Sequence, residues 1–229
     1  MRNVLLAGAT GHLGQHLLRE LQLQGYSVTA LARSATKATA LSPAPQKVIL
    51  ADATNSEQLK GCCQGVDIVV SALGKSISLG DKSNGSFHDI DYSANFNLLQ
   101  EAKQAGVQQF IYISAFRAEE HPELAYFKAH AGFSDELQKS GISYSILQPT
   151  ALFSAFDEVV TMARKGQIGS LGAGDKKTNP IYEGDLAKLA VQHIDTPSAI
   201  VPVGGKHFYS RLELVQLACK VAGYTGAIR

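Results

Sequence analysis

The sequence is poor in sulfur and has no tryptophan: it contains three cysteines and two methionines in 229 residues. Cys62 and Cys63 are adjacent and Cys219 stands far from them. An odd count without regular spacing gives no basis for a disulfide framework. Free thiols are typical of a reducing compartment, and the sequence therefore predicts a cytoplasmic protein.

Charge is also scarce, because charged residues make up 18% of the chain and the formal net charge is +1. Such a chain has no basic excess that would attract nucleic acid or an anionic membrane surface. No apolar run reaches the roughly 18 residues that a membrane span needs. A strand pattern begins within three residues of the start, so we expect no signal peptide. Neither nucleic acid nor a membrane is therefore expected as the main partner.

The sequence does contain a glycine motif near the start of the chain. Residues 4–7 are apolar and predict a buried strand, Gly8, Gly11 and Gly14 follow at intervals of three, and a helical pattern begins at Leu13. Gly8 would permit a tight turn, Gly11 a close approach of a pyrophosphate, and Gly14 close packing of the helix on the strand. The helix N-terminus would then face the phosphates. This order predicts a dinucleotide-binding site, although a glycine turn in another α/β protein is the alternative. The predicted contacts are Gly8, Thr10, Gly11, His12, Leu13 and Gly14.

Strand and helix patterns alternate through the first two thirds of the chain. The predicted strands are residues 4–7, 28–32, 48–50, 67–72, 109–114 and 144–148, and the predicted helices are 12–24, 36–41, 56–62, 91–104 and 125–140. The strands are apolar throughout, which is typical of a parallel sheet covered on both faces. The sequence therefore predicts an α/β fold, a doubly wound parallel sheet of the Rossmann type, with its ligand at the carboxyl ends of the strands.

The regular alternation of predicted strands and helices ends at Pro149. Residues 151–165 have a helical pattern, Gly166, Gly169, Gly172 and Gly174 mark a stretch rich in turns, and a short extended piece covers 179–182. A helix over 183–193, a strand over 200–203 and a helix over 211–222 complete the chain. We predict a dinucleotide-binding domain over 1–150 and a small C-terminal substrate region over 151–229 that packs on it.

The end of the second predicted strand bears on the choice of nucleotide. Arg33, Ser34 and Lys37 stand there, and no acidic residue occurs between Glu20 and Asp52. NAD sites usually place a carboxylate at this point for the ribose 2′-OH, whereas a guanidinium pairs with a 2′-phosphate. The pattern favours NADP(H) as the cofactor, and an ordinary solvated arginine is the alternative.

Two further positions follow from the predicted fold. Asp52 and Ala53 end the third strand, where a carboxylate could meet the adenine amino group, unless Asp52 merely opens a turn. Ala72, Leu73 and Gly74 follow the fourth strand, where small residues would let the cofactor backbone pass, unless they only pack closely.

Several segments together resemble a known family. Residues 8–14, Gly-Ala-Thr-Gly-His-Leu-Gly, are similar to the GATGxxG of extended and atypical short-chain dehydrogenase/reductases. Residues 91–115 resemble the helix-then-strand segment of that family. Lys128 and residues 140–150 resemble its NmrA-like, NAD(P)H-binding branch, as do 179–181, 185–187 and 204–206. The resemblance covers nearly the whole chain and implies an NADP-binding Rossmann domain with a small C-terminal substrate region. It adds Ser114, Lys128 and Pro149 to the predicted cofactor contacts.

The catalytic residues of that family are only partly present. The resemblance implies a Tyr-x-x-x-Lys pair and a serine or threonine after the fifth strand. Lys128 fits the lysine, but Leu124 stands in the tyrosine position, and the nearest phenol, Tyr126, is two residues from Lys128 and so does not share its helix face. Ser114 lies near the serine position, although Ala115 could align there instead. The catalytic candidates are Lys128, Tyr126 and Ser114.

Three functions remain open at this point. The first is an NADPH-dependent oxidoreductase that reduces a small carbonyl, quinone or related acceptor. The second is a non-enzymatic NADP(H)-binding redox sensor or assembly factor with a protein partner, and the third is a nucleotide-sugar epimerase-like enzyme. No metal is predicted, because His12 and His16 have the spacing of a metal pair without the intervening glutamate that such helices carry.

Overall fold

The computed structural model describes residues 1–77, 85–169 and 173–228. Its centre is a sheet of seven parallel strands in the order β3-β2-β1-β4-β5-β6-β8. The strands are β1 (Asn3–Ala7), β2 (Ser27–Ala32), β3 (Lys47–Leu50), β4 (Ile68–Ser71), β5 (Gln109–Ile113), β6 (Ser143–Pro149) and β8 (Ala199–Val203), and β7 (Lys177–Thr178) pairs separately with β9 (Tyr209–Ser210). The order reverses direction between β1 and β4, which is the point where doubly wound folds bind their ligands.

Helices cover both faces of this sheet. The helices are α1 (His12–Leu23), α2 (Ala35–Thr39), α3 (Ser56–Leu59), α4 (Ala94–Ala105), α5 (Ala125–Lys139), α6 (Asp157–Arg164), α7 (Glu183–Gln192) and α8 (Arg211–Ala222). Along β1, Val4 and Leu6 enter one apolar core while Leu5 and Ala7 enter the other. Successive residues of a strand face opposite sides, so both sides of β1 are buried. The predicted doubly wound parallel sheet is confirmed.

The C-terminal part of the chain contributes directly to this architecture. Strand β8 pairs with β6 at the edge of the central sheet, and Leu186, Ala187 and Ala190 of α7 belong to the same core as Leu17 and Leu21 of α1. A smaller cluster joins α6 to α8 through Ala163, Ile168, Val215 and Cys219. The boundary at residue 150 stays a prediction, and the main sheet draws a strand and a helix from beyond it.

Two predicted helices differ from the observed elements. The helix expected over 151–165 begins only at Asp157, because Leu152 bridges to Ile181 and Phe153–Phe156 forms a 3-10 turn. The backbone of residues 151 and 153 exchanges hydrogen bonds with Ile181 and therefore cannot start a helix there. The helix expected over 91–104 starts inside a π-helical turn, His88–Ser93, and becomes α-helical only from Ala94, the first residue of α4.

Residues 78–84, between the predicted fourth strand and the helix predicted from residue 91, and the predicted turn residue Gly172 fall outside the described residues. Within the described ranges, no helix is both long enough and apolar enough to cross a membrane.

Candidate active site

A crevice of about 220 Å³ opens at the carboxyl ends of the central strands. It lies against the glycine turn after β1 and the residues that follow β2, β3 and β4. Most of the residues predicted to bind the cofactor line this crevice. They are Gly8, Thr10, Gly11, Arg33, Lys37, Asp52, Ala53, Ala72, Leu73 and Gly74.

The glycine turn is fixed by the backbone that surrounds it. Gly8 has φ +81°, and a Cβ there would lie 2.5 Å from the carbonyl oxygen of Ala72. A Cβ at Gly14 would overlap the carbonyl of Gly8, whereas one at Gly11 would meet nothing closer than 3.4 Å. Gly11 is the N-cap of α1 and has no side chain to cover the first-turn amides. Close packing at Gly8 and Gly14 with open space at Gly11 fits a dinucleotide pyrophosphate at the helix N-terminus.

The end of the crevice beside β2 and β3 carries two cations and one engaged carboxylate. Arg33 and Lys37 are exposed and line the crevice. Asp52 Oδ1 accepts hydrogen bonds from the backbone N–H of Thr54 at 3.0 Å and from its hydroxyl at 2.8 Å. Burial raises the pKa of Asp52, but these hydrogen bonds and the charge of Arg33 together hold the pKa below its ordinary value. The carboxylate is therefore ionised, and its Oδ1 is already hydrogen-bonded to Thr54 of the same turn.

The other predicted cofactor contacts do not line this crevice. His12 is exposed at the start of α1, and Leu13 is buried in the core below it. The Ser34 hydroxyl caps α2 by accepting from the N–H of Lys37 at 3.3 Å, and Pro149 pairs with Val203 in the sheet. Gly14 packs against Gly8 instead of facing the crevice, and Ser114 and Lys128 lie on the elements described next.

A buried chain of polar side chains adjoins the Gly74 end of the crevice. Asp91, His130 and Tyr112 have exposed fractions of 0%, 4% and 0%. Asp91 Oδ1 lies 3.3 Å from Nε2 of His130, and Nδ1 of His130 lies 2.6 Å from the hydroxyl of Tyr112. Both Asp91 oxygens also accept from the backbone N–H of Lys75, at 3.2 and 3.3 Å. A Cβ at Gly74 would lie 3.2 Å from Asp91 Oδ1, so this carboxylate borders the crevice.

The ring of Tyr126 packs against this group of buried polar side chains. Its ring stands edge-on to the imidazole of His130, with 4.6 Å between the centroids, and edge-on to Phe87 at 5.5 Å. Burial and the charge of Asp91 raise the pKa of Tyr126 to about 12. The phenol is therefore protonated at neutral pH and can act as a proton donor.

The residue at which α5 begins determines which side chains share a helix face with Tyr126. Leu124 is the extended N-cap residue of α5 and is 49% exposed, so it is not part of the helix face. Lys128 is exposed, whereas His130 is buried one turn after Tyr126. Residues four apart share a helix face, so the partner of Tyr126 on α5 is His130. Sequence reasoning missed His130: its spacing of four from Tyr126 places the two on one helix face, but its contacts with Asp91 and Tyr112 come from other elements.

Ser114 directly follows β5 and is buried. Its hydroxyl lies 3.2 Å from that of Ser134 on α5. Burial raises the pKa of Tyr112 well above its ordinary value, a shift that a hydrogen bond with Ser114 only partly opposes. The structure thus brings Ser114 close to the polar chain, two residues from Tyr112.

Comparison with known proteins gives relatives of two kinds. The divinyl chlorophyllide a 8-vinyl-reductase of Arabidopsis thaliana, a chloroplastic protein, is 30% identical over 89% of this chain and 53% of its own length. The chain thus spans about half of that relative. The photosystem II assembly factor Ycf39 of Synechocystis is 24% identical over 98% of this chain and 69% of its own length.

The fold is shared with an NADPH-dependent quinone oxidoreductase of Escherichia coli, QOR2, solved with NADPH. The two superpose with a TM-score of 0.79 at 23% identity, over 99% of this chain and 77% of the other. The family model of NAD(P)H-binding domains matches residues 8–197. The glycine turn, the crevice and this match agree on a nicotinamide cofactor. The chain belongs to the family of NAD(P)H-binding proteins that this model describes.

Proposed function

We propose that this protein is an NADPH-dependent reductase of a small carbonyl, quinone or related acceptor. The observation that carries the proposal is the continuity between two features. The crevice over the glycine turn ends at Gly74, and there Asp91 begins a buried polar chain against which the protonated phenol of Tyr126 packs. A hydride acceptor at this end would have a proton donor beside it.

Each part of the site has a role in this proposal. Bound NADPH supplies the hydride, and the protein supplies position and electrostatics. Arg33 and Lys37 pair with the 2′-phosphate, while the N-terminus of α1 holds the pyrophosphate. Tyr126 donates a proton to the acceptor oxygen. Lys128, exposed on α5, is proposed to hydrogen-bond the nicotinamide ribose.

The acceptor class and the compartment are proposed from the relatives' names and from the cysteines. QOR2 is named as a quinone oxidoreductase and the Arabidopsis relative as a vinyl reductase, and both names support reduction of a small organic acceptor. The substrate pocket is proposed to involve the region beyond residue 150. Cys62, Cys63 and Cys219 are free and buried, which supports a reducing compartment such as the cytoplasm.

The first test incubates the purified protein with NADPH and a panel of quinones and aldehydes while NADPH absorbance is followed. We expect turnover with at least one acceptor. Tyr126→Phe should lower kcat by about 100-fold or more, because general-acid catalysis contributes that much. Lys128→Ala should mainly raise the KM for NADPH, and Lys139→Ala, which removes an exposed lysine from the same helix, should change neither. Turnover that is indifferent to Tyr126→Phe would remove Tyr126 from the reaction.

The second candidate is a redox-responsive assembly factor. It is favoured by the near-complete coverage of this chain by the Ycf39 relative and by Leu124 in the position of the expected tyrosine. In that case NADPH would bind tightly without being consumed by any acceptor. A protein partner would then be captured in the presence of only one of NADP⁺ and NADPH.

A further inference from the structure

The surroundings of Tyr126 disfavour its ionised form. The two influences that raise the pKa of Tyr126 are burial and the negative charge of Asp91. A phenol that gives up its proton in such a place needs a compensating cation. Lys128 is exposed, whereas the imidazole of His130 lies against the Tyr126 ring, so His130 is the group placed to supply this charge.

The orientation of the His130 imidazole is fixed by contacts at both ring nitrogens. Asp91 contacts Nε2 and Tyr112 contacts Nδ1, so both ring nitrogens have a partner. In the described part of the chain, the titratable groups in contact with His130 are Asp91 from the π-helical turn, Tyr112 from β5 and Tyr126 from α5 itself. A carboxylate at one nitrogen and hydroxyl oxygen at the other can accept both N–H groups of an imidazolium.

We propose that His130, held by Asp91 and Tyr112, is a positioning residue whose protonated imidazole stabilises the Tyr126 phenolate during proton transfer. This rests on the proposed reductase function. In the step, the O–H bond of Tyr126 breaks and a new O–H bond forms on the acceptor oxygen as the acceptor carbon receives the hydride of NADPH. The acceptor is reduced by two electrons and NADPH is oxidised to NADP⁺. Tyr126 regains its proton from water, and His130 keeps its own throughout.

The inference predicts a distinctive pH profile. The proposed role needs the protonated imidazole, so the kcat of the natural protein should fall as the pH rises and His130 loses its proton. A lysine keeps its proton to a much higher pH than a histidine does. His130→Gln should lower kcat by about tenfold or more and abolish this fall, since it removes the charge that assists a proton transfer worth about 100-fold or more. His130→Lys should recover part of the rate and move the fall to higher pH.

Matched measurements separate this role from a structural one. His207→Gln removes an exposed imidazole that contacts Tyr209 and should leave both kcat and its pH profile unchanged. The affinity for NADPH should remain within about twofold in His130→Gln and His130→Lys, because His130 does not line the crevice. The inference is overturned if His130→Gln leaves kcat and its pH profile unchanged. It is also overturned if His130→Lys has no higher kcat than His130→Gln.

A readout without turnover distinguishes failure of this inference from failure of the reductase proposal. In protein labelled with ¹³C-tyrosine, the Cζ resonance of Tyr126, assigned by loss in Tyr126→Phe, should move with pH at the midpoint of the His130 imidazole. This movement should vanish in His130→Gln. A Tyr126 resonance that stays fixed while His130 titrates overturns the inference even if acceptors are reduced. If no acceptor is reduced, the reductase proposal fails, and the coupling is still measured. Should His130→Gln not fold, the natural protein and His130→Lys supply the result.

Discussion

Under the proposed function, single charged residues set the preference for the phosphorylated cofactor. Among the described residues that line the crevice, Asp52 provides the only carboxylate, and its Oδ1 is engaged by Thr54. Arg33 and Lys37 are exposed at the same end. A 2′-phosphate would therefore meet two cations, whereas a ribose 2′-OH would meet no free carboxylate. The local charge favours the phosphorylated cofactor.

Exchange of Arg33 tests this argument. We expect NADPH to bind about tenfold or more tightly than NADH, because a charge-assisted hydrogen bond contributes about 1.5–3 kcal/mol. Arg33→Asp should reverse the order, since a carboxylate repels the phosphate and accepts from the 2′-OH. Calorimetric titration of both cofactors measures the ratio, and Arg19→Asp, on α1 and away from the crevice lining, serves as the control. Equal affinities in the natural protein would contradict the assignment.

Residues in one local motif could be predicted from the sequence, and residues assembled by the fold could not. Gly8 and Gly11 could be predicted to line the crevice because strand, turn and helix follow one another directly, and Arg33 because it directly follows the next strand. His130 was missed because its role depends on Asp91 and Tyr112, which come from two other elements. Pro149 is buried in β6 by the added strand β8, a pairing that no local pattern reveals.

At the scale of elements, the register of each helix on the sheet positions the chemistry. Helix α1 packs close to β1 through Gly14 against Gly8, which brings its N-terminus to the crevice. Helix α5 begins after Leu124, so Tyr126 and His130 occupy one face of its first turns. The π-helical turn before α4 places Asp91 between Lys75 and His130. Its wider winding has no hydrophobic signature that sequence periodicity would detect.

Gly14→Ala tests the packing of α1. The added methyl group would overlap the Gly8 carbonyl, and the helix must move away from β1 to accommodate it. We expect a loss of about 1–3 kcal/mol in the free energy of unfolding, as for overpacked cores, together with weaker NADPH binding. Urea denaturation measures the first effect, and Gln15→Ala, at the next and exposed position, is the matched control. Stability and affinity equal to those of the natural protein would show that α1 does not need this contact.

At the scale of the whole molecule, the chain beyond residue 150 helps to build the main core. Strand β8 extends the sheet, and α7 shares a core with α1. The sequence predicted the strand and the helix but not their place, because short apolar runs carry no information about their partners. The separate cluster of α6 and α8 is the part that most resembles the predicted C-terminal region.

Truncation of Leu186 tests this shared core. Leu186 on α7 is fully buried against the core that includes α1. Leu186→Ala should lower the free energy of unfolding by about 2–5 kcal/mol and shift the transition that reports on the central sheet. Lys188→Ala, at an exposed position of α7, should have little effect. A separate early transition that leaves the melting of the sheet unchanged would instead show that α7 unfolds independently.

The central claim is that a phosphorylated dinucleotide lies across the N-terminus of α1 with its additional phosphate at Arg33. A crystal structure of the protein with NADPH tests it most directly. The account predicts the pyrophosphate beside Gly11, the 2′-phosphate paired with Arg33 and Lys37, and the nicotinamide at the Gly74 end near Tyr126. NADPH bound elsewhere on the surface, or in the crevice with its 2′-phosphate turned away from Arg33, would contradict the account.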